Sequence, residues 1–97
     1  MNEIKIFSNE KFGEIRTVVI DGEPWFVAKD ISDILGYAQT SNMMKRIDKE
    51  DSISSKMDGM NMKSLFINES GLYSAIIGSK LESAKRLKHW ITSEILP

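Results

Sequence analysis

The chain has 97 residues, 13 basic and 14 acidic side chains, a net charge of −1 and 41% hydrophobic residues. That length suits one domain sharing one core, and the composition is ordinary for a folded globular chain. The absence of cysteine excludes disulfides and thiolate metal sites, and a near-neutral charge means that any nucleic-acid binding must rest on local clusters of cations.

Ile4 to Phe7 reads as a first strand, followed by the polar turn Ser8-Asn9-Glu10-Lys11. Gly13 to Ile20 reads as a second strand, whose Val18-Val19-Ile20 run suggests burial on both faces. Asp21-Gly22 is a strong hairpin signal, because a type I′ turn needs positive φ at both central residues. Glu23 to Val27 then returns antiparallel, which gives a three-stranded meander.

The apolar pattern changes inside Pro24-Trp25-Phe26-Val27-Ala28-Lys29-Asp30-Ile31-Ser32-Asp33-Ile34-Leu35-Gly36-Tyr37. Trp25 to Val27 is continuous, as in a buried strand, whereas Ala28, Ile31, Ile34 and Leu35 recur at helical spacing. Gly36 suits the left-handed residue that ends a helix, with Tyr37 packing back over the last turn. A second short helix is expected from Gln39 to Ile47, capped by Thr40 or Ser41, with Met43, Met44 and Ile47 facing the core.

Asp48 to Asp51 reads as a charged surface loop without calcium-loop spacing. Ser52–Lys56 and Met62–Ile67 read as a second hairpin around Asp58-Gly59, a polar, methionine-rich and more mobile arm. Asn68 should cap a third helix that buries Leu72, Ala75 and Ile76 and ends at Gly78. Ser79-Lys80-Leu81-Glu82 has the pattern of a capping box opening a last helix to about Leu96. Its buried stripe would be Leu81, Ala84, Leu87, Ile91 and Ile95, with Trp90 at the edge. The fold class expected is a small single α+β domain with antiparallel hairpins and about four helices.

Two blocks resemble a known family. The segment from Phe12-Gly13-Glu14-Ile15-Arg16 to Gly36-Tyr37, with PWFVAKDISDILGY, is similar to the opening of the BRO-type N-terminal domain of phage antirepressors and baculovirus repeated-ORF proteins. The segment from Leu65 to Pro97 resembles the rest of it, notably Asn68-Glu69-Ser70-Gly71-Leu72-Tyr73 and Trp90-Ile91-Thr92-Ser93-Glu94. The resemblance spans nearly the whole chain, while residues 52–64 match only in length and polarity. It implies an α+β DNA-binding domain from a phage or prophage regulator, acting in the bacterial host cytoplasm. Such domains are commonly fused to a different C-terminal domain, so the stop at Pro97 reads as a cut at a domain boundary. The resemblance carries over no set of DNA-contacting residues.

Those come from the residues themselves. The helix, glycine and second helix from Ala28 to Ile47 partly fit a helix-turn-helix. Its second helix would offer Gln39, Thr40, Ser41 and Asn42 to base edges and Lys45 and Arg46 to phosphates. A plain packed helical hairpin explains the same spacing. Lys80, Lys85, Arg86, Lys88 and His89 form the densest basic cluster, a candidate phosphate-binding surface. Its ordinary reading is a solvated helix face, with Glu82 and Arg86 as a surface pair. The two basic sets are expected to face the same way and flank one groove-sized surface.

Trp25, Phe66, Tyr73 and Trp90 read as core rather than as stacking platforms. Met57, Met60 and Met62 could instead mark an adaptable surface for a protein partner, such as a repressor; a homo-oligomer is a separate expectation, tied to no particular residues. An enzyme is not expected: the single histidine, His89, has no motif around it, and the Asp30/Asp33 and Asp48/Asp51 pairs lack partner ligands. No cofactor and no metal site are expected, and no apolar run approaches the roughly 20 residues of a membrane span.

Overall fold

Asp21 and Gly22 adopt φ of 52° and 81°, so the first hairpin turns as its sequence requires. In the computed structural model, which describes residues 4–56, 62–79 and 81–96, this hairpin starts a five-stranded antiparallel sheet. Strands β1 (Ile4–Asn9), β2 (Gly13–Ile20) and β3 (Glu23–Val27) form the meander. After helices α1 (Ala28–Ile34) and α2 (Thr40–Met44) and a 3-10 turn at Lys49–Asp51, the chain returns as β4 (Ser52–Lys56) and β5 (Lys63–Ile67). Helices α3 (Glu69–Gly78) and α4 (Ser83–Trp90) follow, and a π-helical turn over Ile91–Ile95 extends α4.

The second hairpin is not a free arm at its base. β5 pairs with β3 through Phe26 opposite Ile67 and Val27 opposite Phe66, which sets the strand order β1-β2-β3-β5-β4. Met57, Asp58, Gly59 and Met60 lie outside the described residues.

Side chains alternate across the sheet. Ile15, Phe26 and Ile67 enter the main core with Ile31, Leu35, Met43, Leu72, Leu87 and Ile91 from the helices. Val18, Trp25, Val27 and Phe66 form a separate cluster bordered by Ile4, Ile20 and Ile53. Burial on both faces of β2 therefore holds for only part of it. Val19, beside the hairpin turn, lies at the margin of the helical layer and remains 46% exposed.

An ion pair locks the start of α1 to β2. The Asp30 carboxylate accepts from the Arg16 backbone N–H at 2.9 Å, from Nε at 3.0 Å and from Nη2 at 2.8 Å. That two-point geometry suits a guanidinium, whose pKa is raised chiefly by the Asp30 hydrogen bond. Arg16 thus belongs to the framework. Lys29 and Asp33, one turn apart on the same helix, make an exposed pair at 3.1 Å.

Asn68 caps α3 as its sequence suggests, its Oδ1 accepting from the Gly71 N–H at 2.9 Å. The other two expected caps differ. Gln39 stands at the N-cap of α2 and its side chain makes no cap bond, so Thr40 and Ser41 lie inside the first turn. The capping box is absent: Glu82 precedes α4 and makes no cap bond. The Ser79 hydroxyl donates instead to the Leu35 carbonyl at 3.0 Å and accepts from the Leu81 N–H at 3.2 Å. The serine oxygen accepts from the Leu81 N–H rather than from the Glu82 N–H that a capping box requires, and its proton goes to a tertiary partner. Leu81, consequently outside α4, is 46% exposed and covers Gly36 rather than joining the buried stripe.

Candidate nucleic-acid interface

Two helical corners meet at one end of the molecule. The first follows α1, where Gly36 has φ of 77° and the Gly36 and Tyr37 N–H groups donate to the Asp33 and Ser32 carbonyls. This paired bonding is the Schellman ending, which needs a left-handed residue at Gly36. The second corner joins α3 to α4. Tyr37 reaches across and donates from Oη to the Ala75 carbonyl at 2.8 Å, while Ser79 holds the Leu35 carbonyl. The corners are close enough that a Cβ on Gly78 would lie 2.5 Å from Arg46 Cδ and 2.7 Å from Tyr37 Oη. Burial raises the Tyr37 pKa, and the nearby Arg46 charge opposes that rise.

On α2, Met43 and Ile47 are buried and Met44 is half-buried, as the apolar spacing predicts. Gln39, Ser41, Asn42, Lys45 and Arg46 are all exposed. The helix itself is only five residues long, a rise of about 7.5 Å. It presents its polar side chains, but it is a single stub rather than a groove-length helix. The Ser41 hydroxyl donates to Gln39 Oε1 at 3.4 Å, which ties those two side chains to each other.

On α4, Ala84, Leu87 and Trp90 face inward, and Lys85, Arg86, Lys88 and His89 are exposed. None of those four forms an ion pair among the described residues, and the Glu82–Arg86 pair is not made. Lys80 lies outside the described residues. The cations divide around the helix. Lys88 Nζ sits 5.6 Å from the centre of the Tyr73 ring, on the α3 side. Tyr73 is half-buried and donates to Glu69, and its pKa is raised chiefly by burial. Arg86 and His89 face the other flank, where they border a recess with the β1–β2 turn.

Arg46 therefore packs at the α3 end, whereas Arg86 and His89 adjoin the β1–β2 turn. Lys11, on that turn, is the basic residue that sequence reading missed. Its only local signal is a polar turn, and its closeness to α4 is purely tertiary. Trp25, Phe66 and Trp90 are buried, in agreement with a core role. Acidic groups also mark the region: Asp33 is paired with Lys29, Glu82 is exposed, and Glu94 borders the α4 recess. A different recess, at the start of α3, carries Glu23 and Glu69 and has the opposite charge.

No helix among the described residues is long and apolar enough to cross a membrane. No solved structure matches the chain significantly. A protein of Haemophilus influenzae (strain Rd), described as an uncharacterized protein, is 30% identical over 102 aligned positions, covering 99% of this chain and 50% of that protein. The chain thus spans about half the length of that curated relative. The family model for the BRO family, N-terminal domain, matches residues 14–97, and the chain belongs to that family.

Proposed function

We propose that this chain is a DNA-binding domain of a phage or prophage antirepressor or transcription regulator, a binding rather than a catalytic unit. The observation that carries the reading is the outward arc of Lys85, Arg86, Lys88 and His89 on α4, exposed and without acidic partners among the described residues. A net charge of −1 makes such a concentration of basic side chains on one helix a local feature. Cations held on a rigid helix neutralise backbone phosphates and release counterions, which gives affinity without sequence choice. Gln39, Ser41 and Asn42 on α2 are the exposed amide and hydroxyl groups suited to base edges. The site of action consistent with this is the cytoplasm of the bacterial host.

Fluorescence anisotropy with a labelled duplex at low salt tests the proposal. Binding in the range of roughly 10⁻⁴ to 10⁻⁶ M or tighter is expected. Silence up to about 100 µM, in this chain and in longer forms of the protein, refutes it.

A second reading is a module that binds a repressor protein. It is favoured by Met62 and Leu65, apolar residues of the second hairpin that are 76% and 43% exposed. Capture of the cognate repressor, lost on Met62→Ser while DNA binding survives, would support it.

A further inference from the structure

We propose that the β1–β2 turn is a second arm of the DNA-contacting surface, with Lys11 joining Arg86 and His89 around one phosphate of the duplex backbone. The inference rests on the DNA-binding reading and extends it to a residue outside the helices. Lys11, Arg86 and His89 are far apart in sequence, yet they border one open recess of about 390 Å³. Its base is built by two aromatic rings, Phe12 and Trp90, stacked with centroids 5.9 Å apart and planes 14° from parallel. This contact fixes the turn against α4.

The turn is itself stiff. Asn9 Oδ1 accepts from the backbone N–H groups of Lys11 at 2.8 Å and Phe12 at 3.1 Å. Because that oxygen accepts both bonds, the Asn9 amide nitrogen is left to donate elsewhere. The Lys11 ammonium lies 5.9 Å from the Phe12 ring centre, where both residues border the Arg86 recess and a neighbouring one that carries Asp33. An ammonium, a guanidinium and an imidazole therefore converge from two elements held together by packing. Such donors match the tetrahedral oxygens of a phosphate, with Asn9 and Ser93 as neutral donors beside them. Glu94 stands at the same rim and offsets part of the charge, which leaves the recess suited to a single phosphate of the backbone. The outward Lys85 continues the surface along α4. A duplex strand lying on that helix would reach the recess, which makes a backbone phosphate the fitting ligand.

The test uses the intact 97-residue chain and its Lys11→Ala, Lys11→Arg and Lys56→Ala variants, with anisotropy measured on a labelled duplex across a salt series. Lys56 is an exposed lysine of β4, the strand at the sheet edge opposite β1, and it controls for net charge alone. Lys11→Ala should weaken binding equally on different duplex sequences and lower the salt slope by about one unit. Lys11→Arg should restore the slope, and Lys56→Ala should leave it unchanged. Binding by all four proteins with one common slope overturns this inference and leaves the DNA-binding reading intact. A fall in slope with Lys56→Ala as large as with Lys11→Ala also overturns it, because charge alone would then explain both. No binding by the unmodified chain overturns both.

Discussion

Replacing Ser79 by Ala distinguishes a helix cap from a tie between corners. If Ser79 and Glu82 formed a capping box, Ser79→Ala and Glu82→Ala would each loosen the start of α4 by comparable amounts. The structure gives the two residues unequal roles. Ser79 donates to the Leu35 carbonyl at 3.0 Å and accepts from the Leu81 N–H at 3.2 Å, whereas Glu82 makes no cap bond. Leu81 is 46% exposed, so water can replace the second bond, but Leu35 is 2% exposed and its carbonyl would lose a partner. A net bond worth about 1 kcal/mol, plus part of the cost of an unmade bond at a buried carbonyl, gives about 1–2 kcal/mol for Ser79→Ala. Glu82→Ala should stay within about 0.5 kcal/mol of the parent. For a chain of this size, each kcal/mol lowers Tm by roughly 4–8 °C. Urea unfolding of both variants, followed by circular dichroism, is the assay. Equal losses, or a larger loss from Glu82→Ala, would refute the corner assignment.

Other substitutions separate framework from surface. Asp30→Ala should cost about 2–3 kcal/mol, because its 13%-exposed carboxylate accepts three bonds, one from a backbone N–H. Asp33→Ala should cost no more than about 0.5 kcal/mol in the same unfolding experiment, since its pair with Lys29 is exposed. The Ser32 hydroxyl is fully buried without a hydrogen-bond partner among the described residues, so Ser32→Ala should be neutral or stabilising by about 1 kcal/mol, measured as a shift in the urea midpoint. Burial raises the folded-state pKa of Tyr37 above its unfolded value, so its contribution is complete below about pH 10 and is lost as pH rises through the folded pKa. The cost of Tyr37→Phe should therefore shrink in alkaline titrations of stability.

Local backbone rules made several features legible. Asp21-Gly22 marks its turn because both residues must take positive φ, and Asn68 marks its helix because its side chain caps a nearby N–H. Gly36 is legible for the same reason: the Schellman ending demands a left-handed residue within a few positions of the helix. Ser79 was misleading, because Ser-x-x-Glu describes a local option, whereas the hydroxyl accepts from the Leu81 N–H and donates to the Leu35 carbonyl, far away in sequence. The pairing of β5 with β3 rests on two residue pairs with no local signature. The π-helical turn after α4 coincides with Thr92, whose hydroxyl donates to the Lys88 and His89 carbonyls, a side-chain bond that spacing alone does not announce. At the candidate interface, periodicity sorted the inward residues of α2 and α4 from the outward ones. It could not place Lys11 beside Arg86, nor show that Arg46 turns toward Gly78.

The central claim is that the cations of α4 bind DNA as a phosphate surface. Its most direct test is the dependence of duplex affinity on salt, compared between the parent chain and a Lys85→Ala/Arg86→Ala/Lys88→Ala variant. All three side chains are exposed, so the variant should fold with an unchanged circular dichroism spectrum. The parent's affinity should fall linearly on logarithmic axes as salt rises, and the variant's slope should be smaller by about one unit for each cation that meets a phosphate. A parent that binds duplex DNA with the same affinity and the same slope as the folded triple variant would contradict the account.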